Sequence, residues 1–110
     1  MEWKALIQSS QLEEIIQESL SQPVMIFKHS TRCSISTMAK GRLERGTLSD
    51  KLSVYYLDLL TYRPISSEIA ERFSVHHESP QVLLIRNGEC VYVESHNGID
   101  VDEINAQAEA

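Results

Sequence analysis

Between Pro23 and Arg45 the chain reads PVMIFKHSTRCSISTMAKGRLER, and this stretch constrains everything around it. Val24-Met25-Ile26-Phe27 is an unbroken apolar run of strand length, suited to a central strand covered on both faces. Lys28 to Arg32 reads as a short polar loop. Cys33 follows, and after it Ile35, Met38, Ala39 and Leu43 recur at helical spacing to about Arg45, where Gly46 offers a stop. Strand, loop, cysteine and helix in that order put a thiol at a helix N-terminus. Unpaired N–H groups and the positive end of the helix dipole favour a thiolate there. Such settings lower a cysteine pKa from about 8.5 to about 3.5–7.5. Cys33 is therefore expected to be a thiolate nucleophile.

The flanking segments alternate. Trp3 to Ile7 is a candidate first strand. Ser10 with Glu13 forms a capping-box pattern ahead of a stripe at Leu12, Ile15, Ile16, Ser19 and Leu20. That helix is expected to end near Ser21, because Pro23 disfavours helix at the residue before it. Ser53–Leu60 (SVYYLDLL) is a second buried strand. Pro64 suits a first helical turn, and Ile65, Ile69 and Phe73 share one helix face. Ser74–Ser79 reads as loop, and Pro80 opens a third strand, Gln81–Arg86. Asn87-Gly88 signals a hairpin to a returning strand at Glu89–Glu94. Asn97-Gly98 is a turn, and Asp100 with Glu103 caps a last helix carrying Val101, Ile104 and Ala108. The final residues are expected to fray. The order predicts an α/β thioredoxin-like fold: a mixed four- or five-stranded sheet, helices on both faces, one domain over 1–110.

Composition narrows the function. A net charge of −6 lacks the basic stripe that nucleic-acid binding requires. No apolar run reaches the ~18–20 residues of a membrane span. Met1-Glu2-Trp3-Lys4 shows no basic segment leading into an apolar core, so no signal peptide is read and a cytoplasmic location is expected. The two cysteines, Cys33 and Cys90, are then expected to stay reduced. With four scattered histidines they form no zinc-ligand spacing, so no metal is expected.

FKHSTRCSIS (Phe27–Ser36), the Tyr56–Asp58 strand, RPIS with Ile69-Ala70, HESPQVLLIRNG (His77–Gly88) and Ser95-His96 with Ile99 together resemble the YtxJ-type redox proteins of the bacillithiol system, the monothiol bacilliredoxins. The resemblance spans roughly the whole chain. It implies a thioredoxin fold that reduces mixed disulfides between bacillithiol and protein cysteines. Bacillithiol would be a thiol co-substrate with no bound cofactor, bacillithiolated proteins the clients, and the chain a monomer. Ser34 stands where the family motif has proline, which removes a ring that would stiffen the first helical turn.

Each candidate residue has a chemical reason. Cys33 supplies the attacking sulfur. Ser36 stands where dithiol enzymes keep a resolving cysteine; its hydroxyl cannot displace a disulfide but is expected to donate to the thiolate. The mechanism is then monothiol. Lys28, His29 and Arg32 are read as positive loop residues near the sulfur, with Arg32 and Lys28 facing the carboxylates of bacillithiol's malate. Thr31 and Ser34 flank the cysteine as substrate-binding candidates. In thioredoxin-like proteins the position of Pro80 holds a cis proline facing the cysteine, with Ser79 presenting its backbone to an extended substrate. His77 and Glu78 are placed at the rim beside it. Cys90, on a strand, is given no catalytic role. Two other readings compete: an iron–sulfur carrier using an external thiol, which would purify as a coloured dimer, and a non-catalytic partner-binding domain, whose function would survive Cys33→Ala.

Overall fold

The computed structural model describes residues 3–110; the reading of Met1-Glu2 as free of an export signal lies outside them. The elements are β1 (Lys4–Ala5), α1 (Gln11–Glu18), β2 (Val24–His29), α2 (Ser34–Arg45), β3 (Ser53–Asp58), α3 (Arg63–Arg72), β4 (Gln81–Arg86), β5 (Glu89–Ser95), a 3-10 turn at His96–Gly98 and α4 (Val101–Glu109). They build a five-stranded sheet in the order β1-β3-β2-β4-β5. β1, β3 and β2 run parallel. β4 runs antiparallel to β2 although a helix precedes it, and β5 is antiparallel to β4.

The alternation of side chains along each strand divides the core in two. One layer joins Val24, Ile26, Leu83 and Ile85 to Leu12 and Ile15 of α1 and Ile65 and Ile69 of α3. The other joins Met25, Phe27, Val82 and Leu84 to Ala39 and Leu43 of α2 and Ile104 and Ala108 of α4. β2 is central and all six of its residues are buried. The Asn87-Gly88 hairpin is formed, with both residues at positive φ (53° and 78°), as a two-residue turn of mirror-image type requires.

Local expectations fail where tertiary partners intervene. Lys28 and His29 are not loop residues. Pairing continues through Lys28–Leu57 and His29–Asp58 on one side and Lys28–Gln81 on the other, so β2 extends two residues past its apolar run. The Ser10–Glu13 box does not form: Ser10 is helical (φ −60°) and makes no cap. The Gln11 side chain instead accepts the Ile7 and Gln8 N–H groups at 2.7 and 2.9 Å. Leu20, assigned to the buried stripe, is 58% exposed. Along α2 the buried positions are Ser36, Ala39 and Leu43, while Ile35 and Met38 face solvent. Gly46 ends α2 in an extended conformation, and its need for glycine is spatial: a Cβ there would lie 2.6 Å from Val101 Cγ2. At the end of α4 the Arg86 guanidinium donates to carbonyls of Gln107, Ala108 and Ala110. Asp100 caps α4 as expected, accepting from the Glu103 N–H.

Candidate functional site

Cys33 occupies the N-cap of α2, in extended conformation (φ −104°, ψ 122°), and is half-buried. Its N–H donates to the Ser30 carbonyl at 3.1 Å, closing the turn that leaves β2. Its own carbonyl accepts from the Thr37 N–H (3.0 Å) and hydroxyl (3.2 Å). Among the described residues, the N–H groups of Ser34, Ile35 and Ser36 have no acceptor. A helix start left open in this way favours negative charge at the preceding residue. Thr31, Arg32 and Ser34, the sequence neighbours of the thiol, are exposed, and on α2 Ile35 and Met38 are exposed apolar side chains, 45% and 63%.

Ser36 is fully buried and engaged elsewhere than expected. Its Oγ lies 2.6 Å from His29 Nδ1 and accepts the Ser30 N–H at 3.0 Å. The anticipated donation from Ser36 to the Cys33 sulfur is therefore not the bond that forms. The hydroxyl instead clamps the first turn of α2 to the end of β2, on either side of the Ser30–Cys33 turn. The His29 ring stacks on Phe27 (5.7 Å between centroids) and tilts against Tyr56 (5.6 Å). Burial, then the Lys40 charge, pushes its pKa below the usual histidine value, opposed by Asp58, Ser36 and Glu44.

Lys28 points the other way, toward α3. Its ammonium donates to the Ser66 carbonyl and to His77 Nδ1, each at 3.3 Å. Lys28 is 0% exposed, and burial lowers its pKa from 10.5 to about 8. It is thus neither a loop cation nor a free ligand for a substrate carboxylate. Because an ammonium only donates, His77 Nδ1 is the acceptor there. Burial, followed by the Lys28 charge, lowers the His77 pKa. The ring that was assigned to the substrate rim has this nitrogen turned inward, tying the loop before Pro80 to α3.

The Ser79–Pro80 peptide bond is cis. Gln81 pairs with Lys28, so Pro80 lies one step further along, beside the end of β2 that feeds the Cys33 turn. The Pro80 carbonyl accepts the His96 N–H at 3.0 Å. Ser79 Oγ is buried with no hydrogen-bond partner among the described residues.

Cys90 sits at the opposite end of the sheet. It pairs with Ile85, which pairs with Val24 at the start of β2, whereas Cys33 follows the end of β2. That strand spans about 17 Å at ~3.3 Å per residue. Cys90 packs on the α1–α3 layer and burial raises its thiol pKa. Among the described residues no group of three or more His, Cys, Asp or Glu side chains is placed to hold a metal ion. No helix among them is long and apolar enough to cross a membrane.

Comparison with known proteins agrees with this geometry. The family model for monothiol bacilliredoxin BrxC matches residues 4–104. A solved structure with a thioredoxin fold, provisionally assigned as an oxidoreductase, is 35% identical, superposes with a TM-score of 0.82, and is matched over 96% of this chain and 92% of its own. Two thioredoxins share the fold at lower identity. That of Malassezia sympodialis is 18% identical with a TM-score of 0.75, over 99% of this chain and 92% of its own. A single-residue variant of the Halobacterium salinarum protein is 16% identical with a TM-score of 0.76, over 98% and 88%.

Proposed function

The chain belongs to the monothiol bacilliredoxin family, and from that premise we propose that it is a disulfide oxidoreductase that removes bacillithiol from protein cysteines. The Cys33 thiolate attacks the bacillithiol sulfur of a mixed disulfide. The old S–S bond breaks, the client cysteine leaves as a thiolate and takes a proton, and Cys33 is left bonded to bacillithiol. A second bacillithiol thiolate attacks the bacillithiol sulfur of that adduct, releasing bacillithiol disulfide and regenerating Cys33. Two electrons pass from bacillithiol to the client in each cycle.

The observation that carries this reading is the isolation of one sulfur. Cys33 opens α2 beside uncommitted N–H groups, the resolving position holds a serine already bonded to His29, and Cys90 lies a strand length away. No second thiol within the chain reaches the adduct, so release needs an outside thiol. Ser36 acts as a positioning residue: it fixes the start of α2 and with it the sulfur. Ser79 and Pro80 form the opposite wall, where an extended client backbone pairs. Ile35 and Met38 supply apolar contact for the client. Thr31, Arg32 and Ser34 contact the small thiol, and His77 holds the Pro80 loop in place. In this reading the protein is a cytoplasmic, single-domain monomer with no bound cofactor.

Steady-state reduction of a bacillithiolated model protein by bacillithiol tests it. Cys33→Ser is expected to abolish turnover and Cys90→Ser to leave it within twofold of the parent. Activity that survives Cys33→Ser, or that vanishes with Cys90→Ser in a protein that remains folded, contradicts the proposal.

A further inference from the structure

The parallel strands β2 and β3 lie side by side, yet they send their helices to opposite faces: α2 packs on the Phe27 layer and α3 on the Ile26 layer. In open α/β sheets a crevice forms beyond the carboxyl ends of strands whose connections part in this way, and ligands bind there. Here that position holds a groove of about 440 Å³ lined by Thr31, Arg32, Asp58, Leu60, Thr61 and Arg63. Its size falls in the range of small-molecule sites, about 300–1,000 Å³. A larger groove of about 580 Å³, which includes Gln22, Ser53 and Val54, opens at the other end of the same strands, away from Cys33.

The chemistry of the groove is cationic in an otherwise acidic chain. Arg32 enters from the residue before Cys33, and Arg63 from the first position of α3. Neither takes part in an ion pair among the described residues. The one carboxylate in the lining is committed to the turn it stands in: Asp58 accepts the Leu60 N–H at 3.2 Å and the Thr61 hydroxyl at 2.7 Å. Arg32 and Arg63, with Thr31, thus line a small groove, and Arg32 is the residue directly before the nucleophile. Planar guanidinium forks match carboxylates in bidentate fashion.

We propose that this groove is the subsite for the carboxylate-bearing end of the small thiol exchanged at Cys33, with Arg63 as its principal anchor and Arg32 as its second. The inference rests on the oxidoreductase reading and adds a specificity residue from α3. Bacillithiol, with the two carboxylates of its malate, fits the charge. Arg63 holds the malate end while Arg32, adjacent in sequence to Cys33, spans the interval to the sulfur.

The test is a backbone amide NMR titration of the reduced full-length chain with S-methyl-bacillithiol, a thioether that cannot exchange. Saturable shifts centred on Thr31, Arg32, Thr61 and Arg63 are expected. Arg63→Gln is expected to weaken binding at least tenfold, and Arg63→Lys less than Arg63→Gln. Shifts centred near Pro80 and His96 instead, an affinity unchanged by Arg63→Gln, or occupation of these amides by an acidic peptide but not by the thioether would overturn the assignment. The titration needs no turnover. A chain that binds the thioether here but exchanges no disulfide keeps the subsite and loses the proposed reaction, and the opposite pair of results does the reverse.

Discussion

Replacing Lys28 with methionine is expected to stabilise this protein. The ammonium is fully buried on the central strand, and no carboxylate pairs with it among the described residues. Its two contacts, the Ser66 carbonyl and His77 Nδ1, are each 3.3 Å long. Burial takes its pKa from 10.5 to about 8, and at about 1.4 kcal/mol per pKa unit the gap amounts to about 3 kcal/mol. Below pH 8 the folded and unfolded chains both hold the proton, so the folded state bears the whole cost of a buried charge. Between pH 8 and 10.5 the unfolded chain holds this proton more tightly, so the contribution of Lys28 to stability rises with pH, against the opposite trend from Cys90 and the buried Tyr55. Above 10.5 the cost is gone. Methionine keeps the length of the stem and fills the space without a charge. It forgoes two long hydrogen bonds, so the net gain at pH 7 is about 2 kcal/mol. Urea unfolding should therefore show the midpoint of Lys28→Met about 1 M higher at pH 7, for a slope of roughly 2 kcal/mol per M. The difference should shrink by pH 10. A variant less stable than the parent at pH 7, or a stability difference between variant and parent that does not shrink from pH 8 to 10, would refute the reasoning.

Two further outcomes follow from the clamp at the end of β2. Ser36→Ala removes the hydroxyl that holds His29 and the Ser30 N–H, and thermal unfolding should register a loss of about 1–3 kcal/mol; an unchanged midpoint would mean that the bond does not brace the α2 start. His29 is held below its ordinary pKa chiefly by burial, with Lys40 adding to the shift and Asp58 and Glu44 opposing it. Its folded form therefore prefers to be neutral, so its contribution is constant above pH 6.5 and is lost as pH falls through 6.5 toward the depressed folded value. Chemical denaturation at pH 7.5 and 5.5 should show a smaller acid-side loss in His29→Asn than in the parent, and an equal loss would contradict the assignment.

The legible parts of this fold were those in which neighbouring residues determine the outcome. The apolar run at Val24–Phe27 made a central strand, Asn87-Gly88 made the hairpin, and Asp100 capped α4 through the Glu103 N–H. The placement of Cys33 at a helix start was likewise a local matter of strand, turn and helix. What escaped was decided at long range. Lys28 and His29 looked like loop because they are polar; their burial depends on Ser66 and His77, from α3 and the loop after it, and on Ser36 across the turn. The buried stripe of α2 was misplaced because a small polar residue, Ser36, takes an inward position through its bond to His29, leaving Ile35 and Met38 outside. Arg63 entered only as part of the RPIS segment and was given no role of its own. An exposed arginine at a helix start is ordinary, and only the parting of α2 and α3 from adjacent strands brings it to the groove beside Arg32.

The most direct test of the central claim is intact-protein and peptide mass spectrometry after the reduced chain meets a bacillithiolated substrate with no free bacillithiol present. One bacillithiol adduct per chain, on Cys33, is predicted, persisting until bacillithiol is added. An adduct on Cys90, or an internal Cys33–Cys90 disulfide in its place, would contradict an account built on a single isolated sulfur.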